Sequence, residues 1–178
     1  RVRSSAASDV YKRQTIYMQI INTASDYVYI TTPYFAISEP MLTALLNASR
    51  SGVDIRIILP HIPDKKVVQM ATRSYYEVLL SAGIKVYEYE PGFIHSKTFV
   101  SDDKIAVVGS ANMDYRSMNL DYECISMIYK TGTEMDVKQD FIEMISDACI
   151  EVEYKDWIRR PLLKKIFESI LTAFSTMF

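Results

Sequence analysis

Segments typical of strands alternate with helical patterns through the first half of this 178-residue chain. Three runs are rich in the β-branched and aromatic residues that favour strands: 27–32, 53–60 and 84–89. Two segments with helical apolar spacing lie between them, beginning at the N-cap candidates Ser38 and Asp64 and ending at Gly52 and Gly83. A βαβαβ order predicts parallel strands with helices packed on the sheet.

The second half of the chain has a different pattern. The further predicted elements are a helix at 15–26, strands at 95–101, 104–110 and 122–130, and a helix at 134–154. Asp102 and Asp103 separate two of these strands and form a hairpin-turn signal. The fold class is therefore α/β, with a mixed β-sheet flanked by helices on both faces.

The two ends of the chain differ from its middle. Residues 1–14 are small, polar and basic without apolar periodicity, so we expect a non-native or disordered segment there, and a folded domain at 15–154. Residues 155–178 predict a basic amphipathic C-terminal helix. Two roles remain open for this helix: docking on the core or on another domain, and lying on a membrane surface.

Composition limits the function classes. The formal net charge of −2 argues against a dedicated nucleic-acid binder, which usually has a basic excess. No run of 18 apolar residues is present, and no signal peptide is visible. Cys124 and Cys149 stand far apart in the sequence and are expected to be buried, reduced thiols.

The chemistry is concentrated in residues 95–123. His95 and Lys97 are two positions apart, so in a strand they project to the same side. An ammonium suits the non-bridging oxygens of a phosphate, and a neighbouring imidazole can attack phosphorus or transfer a proton. The only other histidine, His61, has no lysine two residues later and is expected to be an ordinary surface or core residue.

Polar residues after the second hairpin strand extend this candidate site. Gly109 would let the backbone approach a ligand closely, and Ser110 and Asn112 offer short donors for an anion. Glu123, on the next predicted strand, can hold a histidine ring nitrogen and fix its orientation. Asp102 occupies the turn, where a carboxylate is suited to binding backbone donors.

The spacing H-x-K-x4-D-x6-G-S-x-N fixes six positions: His95, Lys97, Asp102, Gly109, Ser110 and Asn112. This pattern resembles the HKD motif of the phospholipase D superfamily. The stretches TPYF, GVDIRIILP, RSYY, AGIKVYEYEPGFIHSK and NMDYRSMNLDYE are similar to the second catalytic half of bacterial cardiolipin synthases. The resemblance includes an RS-x-x-L-x-x-E extension, with a small departure at Asp121 and Tyr122.

The resemblance implies a two-step phosphatidyl transfer without metal or cofactor. A histidine attacks the phosphodiester and forms a phosphohistidine, and the histidine of a second HKD half transfers the protons. It implies His95, Lys97, Asp102 and Glu123 as catalytic-motif residues, with Asp102 structural and Glu123 orienting His95. It also implies Gly109, Ser110 and Asn112 as phosphate-binding residues.

The resemblance also implies the partners. Two phosphatidylglycerols would give cardiolipin and glycerol at a bacterial cell membrane, with the catalytic domain on the cytoplasmic side. The second half would come from an upstream domain or from a second copy of the chain, and the C-terminal helix would meet the membrane surface.

Three alternatives remain. A homodimeric HKD nuclease would explain one motif per chain, but the acidic charge argues against it. A phospholipase D or phosphatidylserine synthase would use the same apparatus with another acceptor. A non-enzymatic binding module would be expected to have a damaged motif, whereas this motif is intact.

Overall fold

Seven strands form one mixed sheet in the computed structural model, which describes residues 6–160 and, among these, the side chains from Arg13 onward. The seven strands are β1 (Tyr27–Thr31), β3 (Asp54–Pro60), β4 (Lys85–Tyr89), β5 (Thr98–Ser101), β6 (Ile105–Gly109), β8 (Ile125–Tyr129) and β9 (Cys149–Glu151). Two short strands, β2 (Phe35–Ala36) and β7 (Met113–Asp114), pair separately. The helices are α1 (Ala6–Thr23), α2 (Glu39–Arg50), α3 (Lys66–Ser74), α4 (Tyr76–Ser81), α5 (Tyr115–Asn119), α6 (Thr133–Ala148) and α7 (Tyr154–Ile158).

The strand order in the large sheet is β8-β6-β5-β1-β3-β4-β9. The neighbours β1, β3 and β4 are parallel, and every other pairing in this sheet is antiparallel. The predicted βαβαβ unit and the mixed sheet are therefore confirmed. The parallel strands form the centre, and the hairpin strands β5 and β6 extend the sheet on one side of β1.

Each face of the sheet buries its own apolar cluster. On one face, Ile30 and Ile57 pack with side chains of α1, α2 and α4, including Leu45. On the other, Tyr29 stacks on Phe141 of α6, with ring centroids 4.8 Å apart. The prediction of helices on both faces is confirmed, and both layers are sealed from water by fully buried side chains.

The turn between β5 and β6 holds the hairpin to the start of β1. Asp102 and Asp103 have φ values of 54° and 53°, a conformation that suits a two-residue hairpin turn and that aspartate tolerates. The buried Asp102 carboxylate accepts hydrogen bonds from the backbone N–H groups of Ser25, Asp26 and Tyr27 at 2.9–3.0 Å. The hydroxyl of Ser25 donates a fourth at 3.0 Å.

Two predicted helices differ from the observed ones. The helix expected from Asp64 to about residue 82 is split into α3 and α4 at Tyr75, and Lys65 occupies its N-cap position. Asp64 instead accepts a hydrogen bond from the Tyr34 hydroxyl at 2.5 Å, so the expected cap is wrong. The helix expected to reach residue 154 ends at Ala148, because the next three residues pair with β4 as strand β9. That pairing covers an edge of the sheet, which helical spacing alone does not reveal.

The N-terminal expectation needs a correction. Helix α1 begins at Ala6, so the expectation of disorder for residues 1–14 is wrong for residues 6–14. Arg13 is buried, and its guanidinium donates to the backbone oxygens of Asp121 at 2.7 Å and Glu123 at 3.2 Å. That anchor depends on contacts 108 and 110 residues away in sequence, which local periodicity cannot show.

The predicted C-terminal helix falls mostly on residues 161–178, which lie outside the described residues. Of the segment 155–178, the structure describes α7 and the residues up to Arg160, where Trp157 packs on Tyr76 with ring centroids 4.7 Å apart. Within residues 6–160, no helix is both long enough and apolar enough to cross a bilayer.

We predict that Asp102→Asn lowers the free energy of unfolding by about 2–4 kcal/mol, because an amide weakens three charge-assisted backbone contacts and places N–H groups against N–H groups. Asp103→Asn is the matched control, since Asp103 has the same backbone conformation but an exposed side chain, and it should cost less than about 1 kcal/mol. Urea denaturation measures both, and equal losses would contradict the anchoring role.

Low pH should remove the contribution of Asp102 to the free energy of unfolding. Burial raises the pKa of this carboxyl, but the hydrogen bonds from residues 25–27 outweigh burial and hold its pKa below the usual value. A group with a lowered native pKa stabilises the fold fully above its unfolded-state pKa of about 3.9, and this contribution is lost as the pH falls through the native pKa. The stability difference between wild type and Asp102→Asn should therefore shrink below about pH 4. A constant difference down to about pH 2 would contradict this.

Candidate active site

Five of the six motif residues, together with Glu123, meet at one end of the β5–β6–β8 layer. Lys97 directly precedes β5 and His95 lies two residues earlier, Gly109 ends β6, and Glu123 lies two residues before β8. Antiparallel pairing brings these strand ends to the same edge, and the Gly109 N–H donates to the Lys97 carbonyl at 3.3 Å. Residues up to 28 positions apart in sequence thus form one cluster.

Asp102 lies at the opposite end of β5. It follows Lys97 by five steps along an extended chain, which is roughly 17 Å at about 3.3 Å per residue. Its carboxylate contacts residues 25–27 and, at 4.0 Å, Lys104. Asp102 therefore lies apart from His95 and Lys97, and its contacts are those of a carboxylate that binds backbone donors at a turn.

His95 presents an exposed ring. Within residues 6–160 no side chain hydrogen-bonds this imidazole, and its described ring contact is with Phe93, at 5.8 Å between centroids. Phe93 in turn contacts Tyr34, at 5.9 Å. The imidazole is thus held against an aromatic wall while both ring nitrogens are available to a substrate.

Lys97 is half-buried beside the histidine. Its Nζ donates to the His95 carbonyl oxygen at 2.7 Å. Burial lowers the pKa of this ammonium, and the negative charges of Glu123 and Asp114 oppose part of that effect. A partly desolvated cation attracts an incoming anion because its charge is less screened by water than that of an exposed lysine.

Ser110 and Glu123 are paired with each other. The Ser110 hydroxyl donates to the Glu123 carboxylate and accepts the Cys124 N–H at 3.0 Å. The expected hydrogen bond between Glu123 and the His95 ring is not formed among the described residues. Cys124 itself is exposed, so the expectation of a buried thiol is wrong at this position.

The side-chain amide of Asn112 has a hydrogen-bond partner at its nitrogen but none at its oxygen among the described residues. Its Nδ2 donates to the Ser117 hydroxyl at 3.1 Å, and Asp114 caps α5 by accepting the Ser117 N–H at 2.8 Å. The Asn112 Oδ1 is buried and has no hydrogen-bond partner within the described chain. A buried acceptor left unsatisfied costs about 1–3 kcal/mol, so this oxygen is a candidate for bonding to a ligand donor.

Gly109 lies where two neighbouring strands approach closely. A Cβ at this position would lie 2.3 Å from the Cys124 carbonyl oxygen and 2.8 Å from the Ile125 Cα. The missing side chain therefore lets the β8 backbone approach β6. The interpretation of Gly109 as a phosphate-binding residue stays a prediction. This close approach brings Glu123 to Ser110.

The other histidine belongs to a separate polar network. The Nδ1 of His61 lies 2.8 Å from the buried Glu88, which also accepts from the Arg73 guanidinium and the Tyr76 hydroxyl. These partners satisfy Glu88 and tie β4 to the α3–α4 layer. His61 is thus engaged in the scaffold, in contrast to the open ring of His95.

Sequence reasoning missed one residue of the cluster. Arg13 holds the backbone on both sides of Tyr122 and so fixes the position of Glu123 ahead of β8. Its segment was excluded because it has no apolar periodicity, and a single buried arginine gives no local signal. Among the described residues, no group of three His, Cys, Asp or Glu side chains is arranged to hold a metal ion.

Comparison with known proteins gives consistent results. Residues 17–145 match the family model described as "Cardiolipin synthase, PLD-like domain". The chain is 40% identical over 162 residues to a cardiolipin synthase of a Geobacillus species, covering 91% of this chain and 32% of that protein. A cardiolipin synthase of Clostridium perfringens is 42% identical over 161 residues, 90% of this chain and 34% of that protein. The chain therefore spans about a third of the length of these relatives.

Solved structures share the fold. Phosphatidylserine synthase of Haemophilus influenzae superposes with a TM-score of 0.72 at 14% identity, over 93% of this chain and 45% of that one. The phospholipase D family member Nuc from Salmonella typhimurium superposes with a TM-score of 0.67 at 16% identity, over 79% of this chain and 90% of that one.

We predict that Gly109→Ala lowers the free energy of unfolding by about 2–3 kcal/mol, because the new Cβ must push β8 away from β6. Gly92→Ala is the matched control: a Cβ there meets nothing within 4 Å, and the change should stay within about 0.5 kcal/mol. Thermal unfolding of both variants tests this. A Gly109→Ala variant as stable as the control would contradict the close approach of β8.

Proposed function

This chain belongs to the PLD-like domain family of cardiolipin synthases, and we propose that it is one catalytic half of a phosphatidyltransferase that makes cardiolipin from two phosphatidylglycerols. One observation carries the proposal: the exposed His95 ring lies beside Lys97, with Ser110 and Asn112 in the same cluster. A nucleophile or proton carrier next to fixed positive charge and short polar side chains is the equipment that phosphoryl transfer needs.

In the first step, an imidazole nitrogen attacks the phosphorus of one phosphatidylglycerol. The bond from phosphorus to the headgroup oxygen breaks, and glycerol leaves with a proton supplied by a second histidine. The lipid remains bound as a phosphohistidine. Lys97, Asn112 and Ser110 stabilise the charge on the non-bridging oxygens, which is greatest in the transition state.

In the second step, a hydroxyl of another phosphatidylglycerol attacks the phosphohistidine. The second histidine takes the hydroxyl proton, the nitrogen–phosphorus bond breaks, and cardiolipin is released. Whether His95 is the nucleophile or the proton carrier depends on its counterpart, and the open ring suits either role. Glu123 can take part by exchanging its bond with Ser110 for one with His95 when the substrate binds.

The second histidine must come from outside this site, since His61 is engaged with Glu88. We propose a second PLD-like half that faces the end of the sheet bearing His95. It is either another part of a longer chain, as the one-third coverage of the relatives suggests, or a second copy of this chain. The substrate is a membrane lipid, so we propose that the working enzyme acts at the bacterial cell membrane, with this domain on the cytoplasmic side and the segment 155–178 at the lipid surface.

We predict that His95→Ala lowers cardiolipin formation by at least about 10³-fold, because it removes a group that takes part in bond making. The chain is tested alone and as a chimaera in which it replaces the segment that it matches in the Geobacillus relative. Each is incubated with phosphatidylglycerol vesicles, and the lipid products are separated by chromatography. His61→Gln is the matched control and should retain activity within a few fold.

The outcomes separate the alternatives. If the chimaera is active and the isolated chain is not, the chain needs a different second half. If the isolated chain is active as well, two copies of the chain suffice. Phosphatidic acid, or phosphatidylserine when serine is added, in place of cardiolipin would assign another acceptor. An active His95→Ala chimaera would contradict the proposal.

A further inference from the structure

A second feature lies directly beside the cluster. A cavity of about 240 Å³ separates α3 from the segment that follows β6. Its polar and apolar lining includes Lys65, Val68, Asn112, Asp114, Arg116 and Asp121. This volume is far larger than a single-water site and somewhat smaller than the pockets that enclose drug-sized ligands, so it suits a small organic group.

The phosphate cluster, by which we mean His95, Lys97, Ser110 and Asn112, shares a wall with the cavity. Asn112 belongs to both, and Asp114, which lines the cavity, acts electrostatically on Lys97. On the other side, Tyr34 lines the cavity and contacts Phe93, whose ring lies against His95. A ligand with its phosphate at Lys97 and Asn112 therefore has this cavity within reach of the next few atoms of its headgroup.

The lining selects for hydroxyl groups. Asn112 Oδ1 lacks a partner among the described residues, and the carboxylates of Asp114 and Asp121 have more acceptor sites than the bonds described for them use. Hydroxyl donors on the ligand would satisfy these acceptors. Ammonium groups would also be attracted to carboxylates, but Lys65 and Arg116, which pairs with Asp121 at 3.5 Å, offset those two negative charges and leave the lining without a net attraction for a cation.

We infer that this cavity is the headgroup subsite, which binds the glycerol moiety of phosphatidylglycerol as a neutral vicinal diol. The inference rests on the proposed function for the position of the phosphate. It adds a structural reason for preferring a glycerol headgroup over an ethanolamine headgroup: the acceptors bond the two hydroxyls, while the two basic residues offset the attraction of the two carboxylates for an amine.

The test uses water-soluble headgroups, so it does not depend on catalysis. The full chain is titrated with glycerophosphoglycerol, glycerophosphoethanolamine and inorganic phosphate, and binding is followed by two-dimensional NMR. We expect glycerophosphoglycerol to bind about tenfold more tightly than glycerophosphoethanolamine, equivalent to about 1.4 kcal/mol. Val68→Phe should abolish this preference by filling the cavity, whereas phosphate affinity should stay unchanged.

Val67→Phe is the matched control, because it makes the same change one residue away on α3, at an exposed side chain outside the cavity lining. It should bind both headgroups as wild type does. Asp121→Asn provides a second variant that keeps the side-chain size, and it should reduce the preference several-fold.

The failures are distinguishable. If inorganic phosphate binds and Lys97→Ala weakens it, but Val68→Phe retains the wild-type preference or wild type shows none, the subsite is wrong and the phosphate cluster stands. If phosphate does not bind, or binds equally to Lys97→Ala, the phosphate cluster itself is contradicted, and the subsite that rests on it is contradicted as well.

Discussion

The site depends on how the β5–β6 hairpin is held. At one end, the buried Asp102 carboxylate binds three backbone N–H groups that lead into β1, which fixes the hairpin against the parallel centre of the sheet. At the other end, the absence of a side chain at Gly109 lets β8 come close to β6. The positions of His95, Lys97 and Glu123 follow from these two constraints, because each lies just outside a strand whose register they fix. Asp102 and Gly109, two residues of the motif, thus both contact neighbouring backbone segments.

The motif extends over 18 positions, from His95 to Asn112. His95, Lys97, Ser110 and Asn112 all lie outside the strands, so strand pairing alone does not hold their side chains in place. The imidazole is exposed and the ammonium is half-buried, so their mutual geometry must be set from outside. Asp102, Gly109 and the buried Arg13 provide that support, and none of the contacts described for them is with the His95 ring or the Lys97 ammonium.

The sequence predicted those parts of the fold that have local causes. Strand composition, left-handed Gly52 and Gly83 and the Asp102–Asp103 turn are properties of a few neighbouring residues, and each was found where expected. The features that the sequence did not predict depend on distant contacts. Strand β9 forms by pairing with the edge strand β4. Helix α1 extends back to Ala6, and its Arg13 binds the backbone of residues 121 and 123.

The same distinction holds for the candidate active site. The spacing of the motif predicted which residues belong to it, but it did not predict which of them contact each other. Ser110 and Glu123 were both selected, yet their bond to each other was unexpected, because it depends on the approach of β8.

The central claim is that His95 belongs to a phosphate-binding cluster. The chain contains two histidines, so the side-chain NMR signals of its imidazoles are two in number and can be assigned with His61→Gln. Titration with inorganic phosphate should shift the His95 signal saturably and leave that of His61 unchanged, and Lys97→Ala should weaken the response. A His95 signal that does not respond, or a response confined to His61, would contradict the account.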